Sequence, residues 1–288
     1  MMDVVRSVKS MRDIVREWKR DGEKIGFVPT MGYLHKGHIS LIKALKGIVT
    51  RKVVSIFVNP IQFCPGEDFE RYPRDEERDL GVCREEGVDV VFIPSTSEMY
   101  PEGFQTYVEV ENISKGLCGT ARPGHFRGVA TVVCKLFNII QPDVAVFGRK
   151  DAQQALLIQR MVKDLNLDVD VIVVPTVREE DGLAMSSRNM YLSPEGRRRA
   201  SAIFSALRCG ADVILGGERD PSCVARKIRQ AMEDKVDKVE YIELRTYPGF
   251  APMDKLAGKV LVATAVWIEG ARLIDNIVVD IEAGEIEL

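Results

Sequence analysis

The chain has 288 residues, 45% hydrophobic and 29% charged, an ordinary balance for a folded protein that excludes wholesale disorder. A formal net charge of −3 gives no general attraction to nucleic acid, so any anion site must be local. No apolar run approaches the roughly 20 residues of a membrane span, and the stretch from Met1 to Arg20 is charged throughout without a signal-peptide core, so a cytoplasmic protein with no membrane or nucleic-acid partner is expected.

Val8, Met11, Val15 and Trp18 recur at helical spacing, and Ile25 to Val28 reads as a buried strand. Next come a glycine-bearing turn, a helix from about His38, and the β-branched run Lys52 to Asn59 that stops at Pro60. Asp75 to Glu86 reads as a charged surface helix and Val88 to Ile93 as a third strand. Val129, Val132, Val133, Leu136, Phe137 and Ile140 mark an amphipathic helix. Asp143 to Phe147 and the run ending at Pro175 are further strands, with a helix from about Asp151 to Lys163 between them. Strand–helix alternation predicts an α/β fold, a doubly wound parallel Rossmann-like sheet, over residues 1–177. Beyond it the character changes. Two helical stretches, around Ala200 to Leu207 and Val224 to Met232, precede three strand-like runs, with Glu269-Gly270 as a hairpin turn. A smaller α+β domain over 178–288 is expected. The six cysteines include no C-x-x-C pair, so reduced thiols are expected rather than a zinc or disulfide framework.

Chemistry concentrates where strands give way to helices. Gly26 to His38, GFVPTMGYLHKGH, runs strand, glycine turn, helix start, and holds two of the chain's three histidines, His35 and His38. Helix starts carry unpaired N–H groups and partial positive charge, so this turn reads as a nucleotide-phosphate cradle. Metal ligation and plain helix capping are the other readings of the pair. Asn59 and Gln62, in FVNPIQF, offer amides to a hydroxyl-bearing acid, although Asn before Pro is also ordinary turn chemistry. In Gly148-Arg149-Lys150-Asp151, Lys150 is placed to meet phosphate and Asp151 to cap a helix or hold a cation; Gln154 follows one turn on. Ser186, Ser187 and Arg188 in the MSSRN stretch suit a phosphate clamp or a serine-rich linker. Arg122-Pro123-Gly124-His125-Phe126-Arg127-Gly128 opens the helix at residue 129, either guarding a site or capping. In a doubly wound sheet such junctions share one edge, beyond the carboxyl ends of the strands.

With PTMGYLHKGH, FVNPIQF, RPGHFRG, QPDVAVFG-x-KDAQQ and MSSRN in this order, the chain resembles the pantothenate synthetase (pantoate–β-alanine ligase) family of the nucleotidyltransferase-like superfamily. The resemblance covers the first two-thirds by motif and the last third by length and style. It implies ATP-dependent amide formation between pantoate and β-alanine through a pantoyl adenylate, with release of pyrophosphate and AMP, Mg²⁺ beside ATP, and a homodimer. Carried over by position, Met31, Gly32, Tyr33, Leu34, His35, Lys36, Gly37 and His38 would line the ATP site, His38 being the proton donor. Gly148, Arg149, Lys150, Asp151, Val177, Met185, Ser186, Ser187 and Arg188 would complete it. Gln62 and Gln154 would hold pantoate, with Gln62 also near β-alanine; Asn59 stands as a further substrate contact on its amide chemistry alone. His38, His35, Lys150 and Arg188 are the catalytic candidates; the resemblance names no metal ligands. Arg149 departs from the family, which usually has Glu there. The competing readings are a nucleotidyltransferase that leaves AMP on its product, an aminoacyl-tRNA synthetase, and a non-catalytic nucleotide sensor. The smaller domain is expected to act as a lid.

Overall fold

The computed structural model describes residues 2–287, which fall into two compact units. The first comprises the chain up to Ser114 with Arg122–Arg149 and Leu157–Val174; the second comprises Lys115–Ala121, Lys150–Leu156 and the chain from Pro175 onward.

The first unit is built on six parallel strands: β1 (Asp3–Val5), β2 (Ile25–Thr30), β3 (Arg51–Ile56), β4 (Val90–Phe92), β5 (Val144–Gly148) and β6 (Asp170–Val174), in the spatial order β1-β4-β3-β2-β5-β6. The strand order reverses between β2 and β5, which pair directly at Gly26↔Val144 and Phe27↔Ala145. Phe27, Val28, Val53, Val54, Val91 and Val146 are fully buried, as strands covered on both faces require. Successive residues serve opposite faces. Val28 shares a core with Leu41, Ile42 and Leu45 of α2 (Lys36–Ala44) and Cys83 of α3 (Glu76–Glu85). Phe27 meets Phe137 of α6 (His125–Ile140) edge-on, ring centroids 6.3 Å apart. Helix α1 (Val8–Arg20) is capped by Ser7, whose Oγ accepts from the Ser10 N–H at 3.1 Å, and it buries Met11 and Val15.

The second unit contains α8 (Pro194–Ala200), α9 (Ala202–Leu215) and α10 (Pro221–Met232). They accompany an antiparallel sheet of β7 (Lys238–Thr246), β8 (Lys259–Ile268), β9 (Ala271–Asp280) and β10 (Glu285–Glu287), ordered β10-β9-β8-β7. Ile203, Leu207 and Ile214 of α9 and Val224, Ile228 and Met232 of α10 share one core with Val260, Val262, Val266, Ile277 and Val279 of the sheet. Glu269 (φ 50°) and Gly270 (φ 75°) both adopt the left-handed conformation, as a two-residue hairpin turn demands. The remaining helices are α4 (Thr96–Met99), α5 (Leu117–Ala121) and α7 (Ala152–Asp164). Among the described residues no helix is long and apolar enough to cross a membrane.

Three sequence expectations change in detail. Strand β3 stops at Ile56, because Pro60 opens a 3₁₀ turn over Pro60–Gln62. The expected helix around Ala200 is two helices that break at Ser201. Helix α3 is not wholly a surface helix, since Asp79 and Cys83 are buried.

Candidate active site

The turn between β2 and α2 is held by two adjacent residues of α3, Arg78 and Asp79. Gly32 (φ 85°) and Tyr33 (φ 51°) take left-handed conformations, unfavourable for tyrosine and therefore dependent on restraint. Asp79 of α3 supplies it. Its Oδ2 accepts from the Tyr33 N–H and its Oδ1 from the Leu34 N–H, each at 2.7 Å. Arg78 donates to the Leu34 carbonyl at 2.8 Å while its guanidinium lies over the Tyr33 ring. Burial pushes the Asp79 carboxyl upward, against the two amide bonds and Arg78. A Cβ on Gly32 would stand 3.0 Å from Asp79 Oδ2 and from Ile56 Cγ2, so a side chain there would press on the clamp as well as strain the left-handed backbone.

This restraint delivers both histidines to the start of α2. His35 is its N-cap, with Nδ1 accepting from the Gly37 N–H at 3.1 Å; His38 Nδ1 accepts from the His35 N–H at 3.3 Å. Their rings lie 4.1 Å apart between centroids. With each Nδ1 used as an acceptor, the proton of the neutral ring resides on Nε2. Capping and anion binding are thus compatible here: one nitrogen of each ring orders the helix start and the other is a donor. Metal ligation through Nδ1 is blocked by the same bonds. Among the described residues no group of three or more His, Cys, Asp or Glu side chains could hold a metal ion.

Beyond β3, Asn59 and Gln62 do different work. Asn59 is buried; its Nδ2 donates to Gln62 Oε1 at 2.9 Å and to the Gly128 carbonyl at 3.2 Å, and its Oδ1 accepts from the Tyr100 hydroxyl at 2.8 Å. Its amide is therefore engaged by three protein partners, one of them the Gln62 side chain that it orients. Because Asn59 donates to Oε1, the Gln62 amide is turned so that Nε2 is the other end, 3.2 Å from Met31 Sδ in the cradle. The first turn of α6 packs on this segment so closely that a Cβ on Gly128 would lie 2.5 Å from the Ile61 carbonyl.

Within the second unit, Asn276 of β9 donates to the Lys150 carbonyl at 2.8 Å, and Lys150 Nζ lies 3.8 Å from Asp151 Oδ1. Neighbouring Asp275 is fully buried and accepts from both terminal nitrogens of Arg178, at 2.7 and 3.0 Å; burial pushes its carboxyl up while Arg178 opposes. The Met185 N–H donates to the Val177 carbonyl at 3.0 Å, so those two expected site residues are neighbours. Ser186 Oγ accepts from the Arg188 N–H at 3.3 Å, opening a 3₁₀ turn over Ser187–Tyr191. Thr176 Oγ1 and Asn189 Oδ1 are buried without a hydrogen-bond partner among the described residues, leaving this loop polar capacity for a ligand. Gln153 is turned inward, bonded to the Cys118 N–H and the Gly116 carbonyl at 3.1 Å each, whereas its neighbour Gln154 is half-buried.

The expected residues of the first unit thus gather at the carboxyl ends of adjacent strands: Asn59 and Gln62 beyond β3, Met31 to His38 beyond β2, Gly148 and Arg149 at the end of β5. This is the switch point at which doubly wound sheets bind ligands. Lys36 is exposed and Leu34 is wholly buried, so Leu34 anchors the turn rather than offering a side chain. Sequence reasoning missed Arg78, Asp79, Tyr100, Glu67, Arg178, Asp275 and Asn276. Two signals were available. Asp79 lies four residues before the buried Cys83, on its side of the helix, and Asp275-Asn276 interrupts an otherwise apolar strand.

Comparison with known proteins agrees over nearly the whole chain. Residues 3–278 match the family model for pantoate-beta-alanine ligase. The pantothenate synthetase of Caldicellulosiruptor saccharolyticus is 55% identical over 285 residues, covering 97% of this chain and 100% of that protein; that of Carboxydothermus hydrogenoformans is 52% identical over 277 residues, covering 96% and 98%. The crystal structure of pantothenate synthetase from Thermus thermophilus superposes with a TM-score of 0.89 at 45% identity, covering 96% of this chain and 98% of that one. The pantoate-beta-alanine ligase of Francisella tularensis, crystallised with beta-gamma ATP and beta-alanine, gives a TM-score of 0.81 at 36% identity, covering 96% and 97%.

Proposed function

The chain belongs to the pantoate–β-alanine ligase family, and from that premise we propose that it joins pantoate to β-alanine at the expense of ATP, through an acyl adenylate. A pantoate carboxylate oxygen attacks the α-phosphorus, and the bond to the bridging oxygen breaks to release pyrophosphate. The β-alanine amine then attacks the acyl carbon, loses a proton, and expels AMP. Negative charge grows on the phosphate oxygens in the first step, so catalysis needs fixed donors and positioning, with no enzyme nucleophile.

The observation that carries this reading is the junction of Gln62 with the histidine cradle. An amide fixed by Asn59 stands 3.2 Å from Met31, whose turn leads directly into two Nε2 donors. A carboxylate with a hydroxyl neighbour suits such an amide; a phosphate suits the capped helix start. His38 is the proton donor, His35 supports it, and Lys150 and Arg188 neutralise phosphate charge. Asn59 acts through Gln62, and Gln154 serves pantoate with it. Met185, Ser186, Ser187 and Val177 belong to nucleotide binding, as do Gly148, Arg149 and Asp151. Magnesium needs few protein ligands when phosphates supply oxygens. The donor set fits that pattern, with the Asp151 carboxylate available to the ion, which would supply further positive charge. A homodimer, a cytoplasmic location, and division into a nucleotide- and pantoate-binding domain (1–177) and a lid (178–288) belong to the same proposal.

The test uses ATP, β-alanine and pantoate carrying heavy oxygen in its carboxylate. Label in the released AMP, with pyrophosphate and the amide formed in equal amount, is the expected result. Nucleotide retained on the product, or unlabelled AMP, would overturn it.

A further inference from the structure

We propose that His125, as the neutral tautomer protonated on Nδ1, is a positioning residue that fixes the Gln62 backbone and thereby sets recognition of the hydroxy-acid substrate. The inference rests on the reading of Gln62 as a pantoate contact. His125 is buried, with Nδ1 2.8 Å from the Gln62 carbonyl and Nε2 3.0 Å from an Arg122 terminal nitrogen. A guanidinium only donates and a carbonyl only accepts. Nε2 must therefore present its lone pair to Arg122, and the ring proton must sit on Nδ1, where it bonds the carbonyl. Both contacts select the same tautomer, and a doubly protonated ring would set N–H against N–H beside a cation.

The arrangement closes on itself. Arg122 is held by Glu67 in a two-point ion pair at 2.5 and 2.7 Å, and Glu67 Oε2 also accepts from the Cys64 N–H at 3.0 Å. Cys64 is two residues beyond Gln62, so the circuit runs from the Gln62 carbonyl through His125, Arg122 and Glu67 back to the same segment. Gly128 lets the first turn of α6 press on Ile61 and Gln62, where any Cβ would collide. The Arg122–Gly128 motif thus grips the Gln62 main chain, while Asn59, itself held by Tyr100 and the Gly128 carbonyl, grips its side chain. His125 touches no reacting atom; it sets where the Gln62 amide stands.

Two measurements test this. Nitrogen NMR of the histidine rings, with His125 assigned from its loss in a variant, is expected to show a protonated Nδ1 and a bare Nε2 at neutral pH. The reverse pattern, or a doubly protonated ring, would overturn the tautomer. The kinetic arm uses steric analogues, since an asparagine amide nitrogen can replace Nδ1 and a glutamine one cannot. His125→Gln and His125→Ala are expected to raise the pantoate KM about tenfold or more, the worth of one buried hydrogen bond, with ATP KM within about twofold. His125→Asn is expected to recover most of that loss, each variant's thermal midpoint being measured alongside. Equal effects on both KM values, or no recovery in His125→Asn, would refute the positioning role. Gln62→Ala is the control. If it leaves pantoate handling intact, the underlying reading of Gln62 has failed; if it does not and His125→Gln is silent, this inference has.

Discussion

Asp79→Asn is the sharpest test of how the cradle is held. The substitution keeps shape and volume but converts two carboxylate oxygens into one acceptor and one NH₂ donor. In the native protein each oxygen accepts a backbone N–H at 2.7 Å, and charge-assisted bonds of this kind contribute about 1.5–3 kcal/mol each. The amide can keep one of them, weakened through loss of charge, and it confronts the other N–H with a donor. The expected cost is about 2–4 kcal/mol, the lost bond and the unsatisfied donor being largely the same energy. Because Tyr33 occupies a left-handed conformation, the turn has a less strained geometry to relax into once released. The histidine donors then move from where the proposed phosphate contact needs them. At about 1.4 kcal/mol per tenfold, kcat/KM for ATP should fall roughly 30- to 700-fold, read by pyrophosphate exchange in the presence of pantoate. The pantoate KM should change much less, since Gln62 is held by α6 and Asn59. Wild-type exchange kinetics with an unchanged thermal midpoint would refute the clamp.

His38→Asn retains an acceptor for the His35 N–H but removes the Nε2 donor, so adenylation should fall roughly 10²–10⁴-fold with little change in thermal midpoint; a parallel loss of ATP affinity of the same size would contradict a transition-state role. Gly128→Ala places a methyl 2.5 Å from the Ile61 carbonyl and should destabilise the protein by about 1–3 kcal/mol while raising the pantoate KM, checked by denaturant titration and initial rates; a silent substitution would show that the contact yields. For Glu67, burial raises the carboxyl but the Arg122 bonds outweigh it, leaving it below the usual glutamate range. A depressed folded-state value gives stability that is present above the unfolded value and lost as pH falls through the folded one. The difference in thermal midpoint between wild type and Glu67→Gln should therefore shrink on acidification below the usual glutamate range, and a constant difference would show that the pair is not linked to pH.

Local pattern carried much of this protein into view from sequence alone. The β-branched strands, the 3.6-residue stripe of α6 and the Glu269-Gly270 turn follow from sterics and burial within a few residues of each other, so they could be read without the fold. So could the cradle, because a strand, a glycine turn and a histidine-capped helix start are contiguous in the chain. What the sequence could not assign is which polar side chains face inward and meet. Asp79 is 45 residues from Leu34, Glu67 is 55 from Arg122, and Asp275 is 97 from Arg178. Only its four-residue spacing from Cys83 sets the one buried carboxylate of α3 apart from the solvated acids beside it. Asn59 shows the limit most clearly. By type it was a substrate amide; in the folded chain its donors and acceptor are taken by Gln62, Gly128 and Tyr100, three elements that approach only when β3, α6 and the segment after α4 pack together. A polar group's partner is set by three-dimensional proximity and by the cost of leaving it unpaired, and that choice belongs to the tertiary structure.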